Sequence, residues 1–199
     1  MRKVLAVVVI FLMGGLSPAL AEEEGWTGNI NFFLGAKALD DDDWEPVEEQ
    51  GEIGVSIDLR QKDWPINMVV EFLHSASDEE EAVLCDPSFG CIDIEAEGET
   101  SELNLGIRKI WDTSSSVRPF IGGGVSLIRA ELSVSALGTE TSESDSGVGF
   151  WLGGGVYWTL GNHFNLGLEA KISSADVEFE GVEGDAGGGH FGLIAGYHW

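Results

Sequence analysis

The sequence predicts an all-β fold, an eight-stranded antiparallel up-and-down transmembrane β-barrel, on three observations. Eight segments alternate apolar and polar residues with a period of two, short and long connections alternate between them, and the chain ends inside a strand on an aromatic residue. Side chains of a strand point alternately to its two faces, so an oily and a wet set in one segment mark a wall between two environments. No long apolar run is needed, because such a strand meets lipid only at every second residue.

Residues 1–21 read as an export leader: Arg2 and Lys3 precede an apolar run from Val4 to Leu16, and Ala19-Leu20-Ala21 offers the small residues of a cleavage site. The run is shorter than the roughly 20 residues of a membrane-spanning helix. The mature barrel domain is expected to occupy residues 22–199, with no later stretch that would halt it in an inner membrane.

The first segment sets Trp26, Gly28, Ile30, Phe32, Leu34 and Ala36 against Thr27, Asn29, Asn31, Phe33 and Lys37. The second sets Ile53, Val55, Ile57 and Leu59 against Glu52, Gly54, Ser56, Asp58 and Arg60; the third sets Ile66, Met68, Val70 and Phe72 against Asn67, Val69, Glu71 and Leu73. In the fourth, Leu103, Leu105 and Ile107 oppose Glu102, Asn104, Gly106 and Arg108. The fifth runs from Pro119 to Arg129 through Gly122-Gly123-Gly124. Its expected lipid face is Ile121, Val125 and Leu127, and a bulge at the glycines would reverse that. The sixth turns Val148, Phe150, Leu152, Val156, Trp158 and Leu160 outward and Trp151, Gly153, Gly155 and Tyr157 inward. The seventh opposes Leu166, Leu168, Ala170 and Ile172 to Asn165, Gly167, Glu169 and Lys171. In the last, Phe191, Leu193, Ala195, Tyr197 and Trp199 share one face, and His190, Gly192, Ile194, Gly196 and His198 the other.

The connections sort into short ones, at 62–65, 112–117 and 161–163, and long ones, at 39–50, 74–102, 131–146 and 174–187. Strict alternation of the two is the pattern of short periplasmic turns and long external loops. Charge follows the same division: the long connections hold 26 of the 35 acidic residues and no Lys or Arg. The net charge is −25, and loss of the two leader cations takes it to −27. A nucleic-acid partner is not expected on this balance, since phosphate binding needs clustered cations.

With alternation, topology and termini in place, the chain resembles the small eight-stranded outer-membrane barrels, the family of the OmpA transmembrane domain, the OmpX-like proteins and the opacity-type porin-like proteins. The resemblance covers Trp26 to Trp199 and rests on the architecture, on Arg118-Pro119-Phe120-Ile121-Gly122-Gly123-Gly124-Val125, and on the terminal aromatics. It implies a bacterial outer-membrane location, contact with lipid and lipopolysaccharide, a monomer, no cofactor, and a C-terminal assembly signal in Tyr197 and Trp199 read by the barrel-insertion machinery. The sequence departs from that signal at Ile194 and Gly192, where the family carries glycine and a polar residue. It leaves function open, because one barrel carries several unrelated activities.

Candidate sites follow from placement. An eight-stranded barrel is filled by its side chains, so Lys37, Asp58, Arg60, Glu71, Arg108, Glu169 and Lys171 are expected to form a paired interior network, with a gated ion path as the sharper alternative. Cys85 and Cys91, in an exported chain, are expected to form a disulfide that stiffens the longest external loop; a redox or metal pair is the alternative. Asp40, Asp41, Asp42 and Asp43, with Asp78, Glu79, Glu80 and Glu81, offer oxygen ligands of the kind that hold Ca²⁺ or Mg²⁺. A merely solvated acidic rim is the simpler reading, since neither run has the ligand spacing of an EF-hand.

Three functions remain. The first is a structural or surface-interaction protein with no catalytic residues. The second is an OmpW-like conduit for small apolar molecules, lined by Phe33, Leu73 and Trp151. The third is a lipid A-modifying enzyme built on His74 and Ser75. The deacylase-type His and Ser signature is absent, and no second histidine obviously joins His74, so catalysis is not expected.

Overall fold

Strands form wherever the alternation is sustained, and their pairing closes on itself. The computed structural model describes residues 25–199 apart from 78–79, 87–89, 114–115, 137–138, 162 and 180. The predicted leader lies outside the described residues. The barrel staves are β1 (Trp26–Ala38), β2 (Glu49–Gln61), β3 (Asn67–Ala76), β5 (Gly90–Ile110), β6 (Val117–Ala136), β7 (Thr139–Leu160), β8 (Phe164–Ser174) and β11 (Gly188–His198). Each is antiparallel to the next, β3 pairs directly with β5, and β1 pairs with β11 to complete the ring. Gly28 and Trp199 exchange backbone hydrogen bonds of 3.1 Å, which ties the end of the chain to its first strand.

The fifth stave keeps one register throughout. Its partners run without interruption from Val117↔Trp158 to Ala136↔Thr139, and Ile121, Val125 and Leu127 are exposed on the outer surface. The glycines are there for closeness: a Cβ at Gly124 would run into the Leu105 carbonyl oxygen, and one at Gly122 would lie 3.1 Å from the Trp151 ring. In both cases a neighbour occupies the space that a side chain would need.

The external connections differ from the sequence reading, which has them as loops. Within 74–102, β4 (Glu80–Asp86) pairs antiparallel with the start of β5, and β6 and β7 pair through most of 131–146. A one-turn helix, α1 (Asp41–Trp44), lies between β1 and β2, and a small hairpin of β9 (Asp176–Phe179) and β10 (Val182–Asp185) lies between β8 and β11. At 22 residues β7 is about twice the length a bilayer requires. At about 3.3 Å per residue the surplus is roughly 35 Å of strand.

The polarity of the two faces inverts where the staves leave the membrane, and this is why the extensions do not look like barrel strands. Along β5 the exposed outward residues are Leu103, Leu105 and Ile107, with Glu102, Asn104 and Arg108 buried inside. Higher up, Glu95 and Glu99 face out and Ala96 is buried. Along β6 the exchange falls between Leu127, outward, and Ile128 and Ala130, which are buried inward. Lipid on the outside demands apolar residues there; above the lipid the same strand faces water outside and a protein core inside.

Leu168 sits halfway along β8, level with Leu193 and Val156 on its neighbours. Leu168→Arg is expected to destabilise the barrel by about 2–4 kcal/mol, the cost of a cation at the bilayer midplane, measured by urea unfolding in lipid vesicles.

Candidate functional site

The inward residues of the eight staves meet in two layers. In the inner layer Arg108 is fully buried and held from several sides. Its Nη1 donates to the Tyr157 hydroxyl at 2.7 Å and its Nη2 to Glu169 Oε1 at 3.1 Å. Asp58 and Glu71 carboxylates lie 3.8 Å away, and the guanidinium sits 4.6 Å above the Phe120 ring. Lys171 donates to Glu71 and lies 3.8 Å from Glu169. Amides complete the layer: Asn29 and Asn67 donate to Asp58 Oδ1, Asn165 donates to Asn29 at 2.8 Å, and Asn104 donates to Glu71 at 3.1 Å. Buried charges are tolerated only when paired in this way.

The outer layer is built on Lys37 and His190. Lys37 Nζ donates to Glu102 at 2.7 Å, Thr100 at 2.9 Å and the Ala186 carbonyl at 2.8 Å. His190 turns Nδ1 to both Glu52 oxygens, at 2.9 and 3.0 Å, and Nε2 to Ser173 Oγ at 2.9 Å. The carboxylate, imidazole and hydroxyl are spaced like a nucleophilic triad, but the surroundings oppose that chemistry. Ser173 also donates to Glu102 at 3.1 Å, so a carboxylate stands where an oxyanion would need donors. His190 and Ser173 are buried as well, beneath a cap.

That cap closes the external end. Leu39, Trp44 and Val47 from the β1–β2 connection pack with Ala175, Val177 and Ala186 from the β8–β11 connection, over Ala96, Ile128 and Ala130. Trp44 Nε1 donates to the Asp185 carbonyl at 2.7 Å, and Asp43 accepts the Asp185 N–H at 3.1 Å. The Asp185 side chain accepts from Ser174 and from the backbone of Ala175 and Gly187. Nearby, Asp145 accepts the Glu178 N–H at 2.8 Å, and backbone donors from Glu178 and Ser146 hold its carboxyl below the usual range.

The sequence candidates divide accordingly. Lys37, Asp58, Glu71, Arg108, Glu169 and Lys171 all lie inside and are buried. Arg60 does not join them: it sits at the mouth of the barrel beside Asp112, at 3.6 Å. Glu52, Glu102 and His190 were missed as network members, although alternation had placed each on an inward face. Their signal was complementarity of type, the Glu102 carboxylate for Lys37 and the Glu52 carboxylate for the His190 ring. Phe33, Leu73 and Trp151 are buried among these groups. His74 bonds Ser101 at 3.1 Å, remote in register from His190.

In the acidic runs, Asp43 is engaged in the cap, Asp78 and Glu79 lie outside the described residues, and Glu80 and Glu81 are placed by their backbone, opposite Ala96 and Glu95. Among the described residues no group of three or more His, Cys, Asp or Glu is arranged to hold a metal ion. The backbone register sets Cys85 directly opposite Cys91. Tyr197 and Trp199 stack at the end of β11, their ring centroids 6.5 Å apart, and the His163 ring stacks on Tyr197 at 5.2 Å.

Comparison with known proteins agrees with this architecture. Residues 6–198 match the family described as outer membrane protein beta-barrel domain. No protein of curated function matches the chain by sequence. Among solved structures, Neisserial surface protein A is 13% identical with a TM-score of 0.56, covering 88% of this chain and 97% of its own. The attachment invasion locus protein Ail of Yersinia pestis, in complex with a heparin analogue, is 12% identical with a TM-score of 0.58, covering 87% and 99%. OprG of Pseudomonas aeruginosa is 12% identical with a TM-score of 0.55, covering 88% and 97%.

Proposed function

Because the chain belongs to the outer membrane protein beta-barrel domain family, we propose that it is exported by the general secretory route, inserts as a monomer, and acts as a closed, non-catalytic barrel that presents an acidic surface outside the cell. The observation that carries this reading is the burial of the interior at two heights, among paired charges around Arg108 and under the packed cluster around Trp44. A conduit would need a path past both. Glu95 and Glu99 are exposed above the lipid face, and in an outer membrane such acids would share the external surface with the phosphates of lipopolysaccharide. Divalent cations bridge such pairs weakly, and a role in envelope integrity or surface contact follows.

Calcium titration of the mature protein tests the cation part. Joint substitution of Asp40, Asp41, Asp42 and Asp43 by Asn is expected to weaken Ca²⁺ uptake while leaving assembly intact, because the amide oxygen introduced by Asp43→Asn still accepts the Asp185 N–H. Unchanged uptake would remove these residues from the cation site.

The Cys85–Cys91 pairing is part of the same reading. Directly opposed antiparallel residues have Cα atoms about 4.5–5.5 Å apart, inside the span of roughly 4.4–6.8 Å that a disulfide bridges. Peptide mass mapping of the exported protein without reductant is expected to show this linkage; two alkylatable thiols would contradict it.

A further inference from the structure

We propose that the periplasmic mouth of the barrel is a carboxylate-binding site, with Arg60 and Arg118 as its donors and Asp112 as the internal carboxylate that a ligand displaces. The two arginines come from well-separated staves, β2 and β6, and both follow the inward alternation, Arg60 after Asp58 and Arg118 before Phe120. They converge on one carboxylate. Arg118 Nε donates to Asp112 Oδ1 at 3.2 Å, and Arg60 Nη2 lies 3.6 Å from Oδ2, a charge contact longer than a hydrogen bond.

Two observations show capacity beyond Asp112. A guanidinium offers five N–H donors in a fork that suits a carboxylate held by two of them. Here Arg60 Nε and Arg118 Nη1 are buried with no hydrogen-bond partner among the described residues. Leaving such donors unpaired is costly, and a second oxyanion in the mouth would satisfy them. The side chain already between the arginines is 60% exposed, while theirs are 22% and 11% exposed. Asp112 therefore reaches in from the rim, on the turn after β5, and can swing out.

Cations flank the two arginines at this end. Arg60, Lys62, Lys109 and Arg118 cluster around the short turns, with Asp63 and Asp112 as the acids there, whereas the external connections hold no Lys or Arg. The short turns with these flanking residues thus carry net positive charge in a chain of net charge −25. The residue already held is a carboxylate, which assigns the ligand class.

Isothermal titration of the folded mature protein in octyl glucoside, with sodium succinate and separately with inorganic phosphate in a chloride background, tests this. Succinate is expected to bind saturably and more tightly than phosphate. Asp112→Asn removes the competitor and is expected to tighten succinate by about tenfold, and Arg60→Gln or Arg118→Gln to weaken it by about tenfold, the worth of one charged hydrogen bond. A Lys62→Gln, Lys109→Gln double variant controls for net charge and should bind as the parent does. Absence of succinate binding in both the parent and Asp112→Asn would overturn the proposal, a result that does not depend on the arginine variants folding. Equal binding of phosphate would overturn the carboxylate assignment, and equal loss in the lysine variant would reduce the site to general attraction.

Discussion

Arg108→Met is expected to lower the unfolding free energy by about 3–5 kcal/mol, the cost of breaking a buried charge pair by removing one partner. Asp58, Glu71 and Glu169 surround the guanidinium, and all are buried. In the variant these carboxylates keep, among the described residues, Lys171 as the cation of their layer, and Tyr157 loses its 2.7 Å partner. Neutralising the closest carboxylate should return part of the loss, so Arg108→Met with Glu169→Gln is expected to be more stable than Arg108→Met alone. Urea unfolding followed by tryptophan fluorescence in vesicles measures both. A loss below about 1 kcal/mol, as for an exposed pair, would mean that water reaches Arg108 and that the interior is open.

Trp151→Ala is expected to cost about 3–5 kcal/mol, as for other buried aromatic truncations. The indole is 2% exposed and lies over a floor of glycines: a Cβ at Gly106 would come within 2.9 Å of the ring. Its Nε1 donates to the Leu105 carbonyl at 3.4 Å, and Lys171 Nζ lies 5.6 Å from the ring centroid. Trp151→Phe, which fills most of the volume, should recover more than half of the loss. An undiminished Trp151→Ala variant would show that the space is already wet.

The membrane-spanning half of the fold was legible residue by residue because lipid imposes a strict rule. Leu166, Leu168, Ala170 and Ile172 against Asn165, Gly167, Glu169 and Lys171 leave one way to place β8. The projecting half was not legible as strand, because its environments are exchanged: Glu95, Glu97 and Glu99 alternate with small residues, Ala96 and Gly98, and show no lipid face. Pairing with β6 through Ala136 makes it a strand, which is a tertiary cause. The interior was half legible. Parity put Glu52, Glu102 and His190 inside, but which groups meet depends on height along tilted staves. Parity likewise grouped Arg60 with the interior, while its position at the end of β2 brings it to Asp112. The cap was not legible, since its core of Leu39, Trp44 and Val47 lies in a segment dominated by acids.

Conductance of the purified, refolded mature protein in a planar lipid bilayer tests the closed interior most directly. The account predicts no resolved conductance steps from the parent protein, because charge pairs fill the inner layer and the Trp44 cap seals the outer end. Sustained, reproducible opening steps from the parent protein under the same conditions would contradict it.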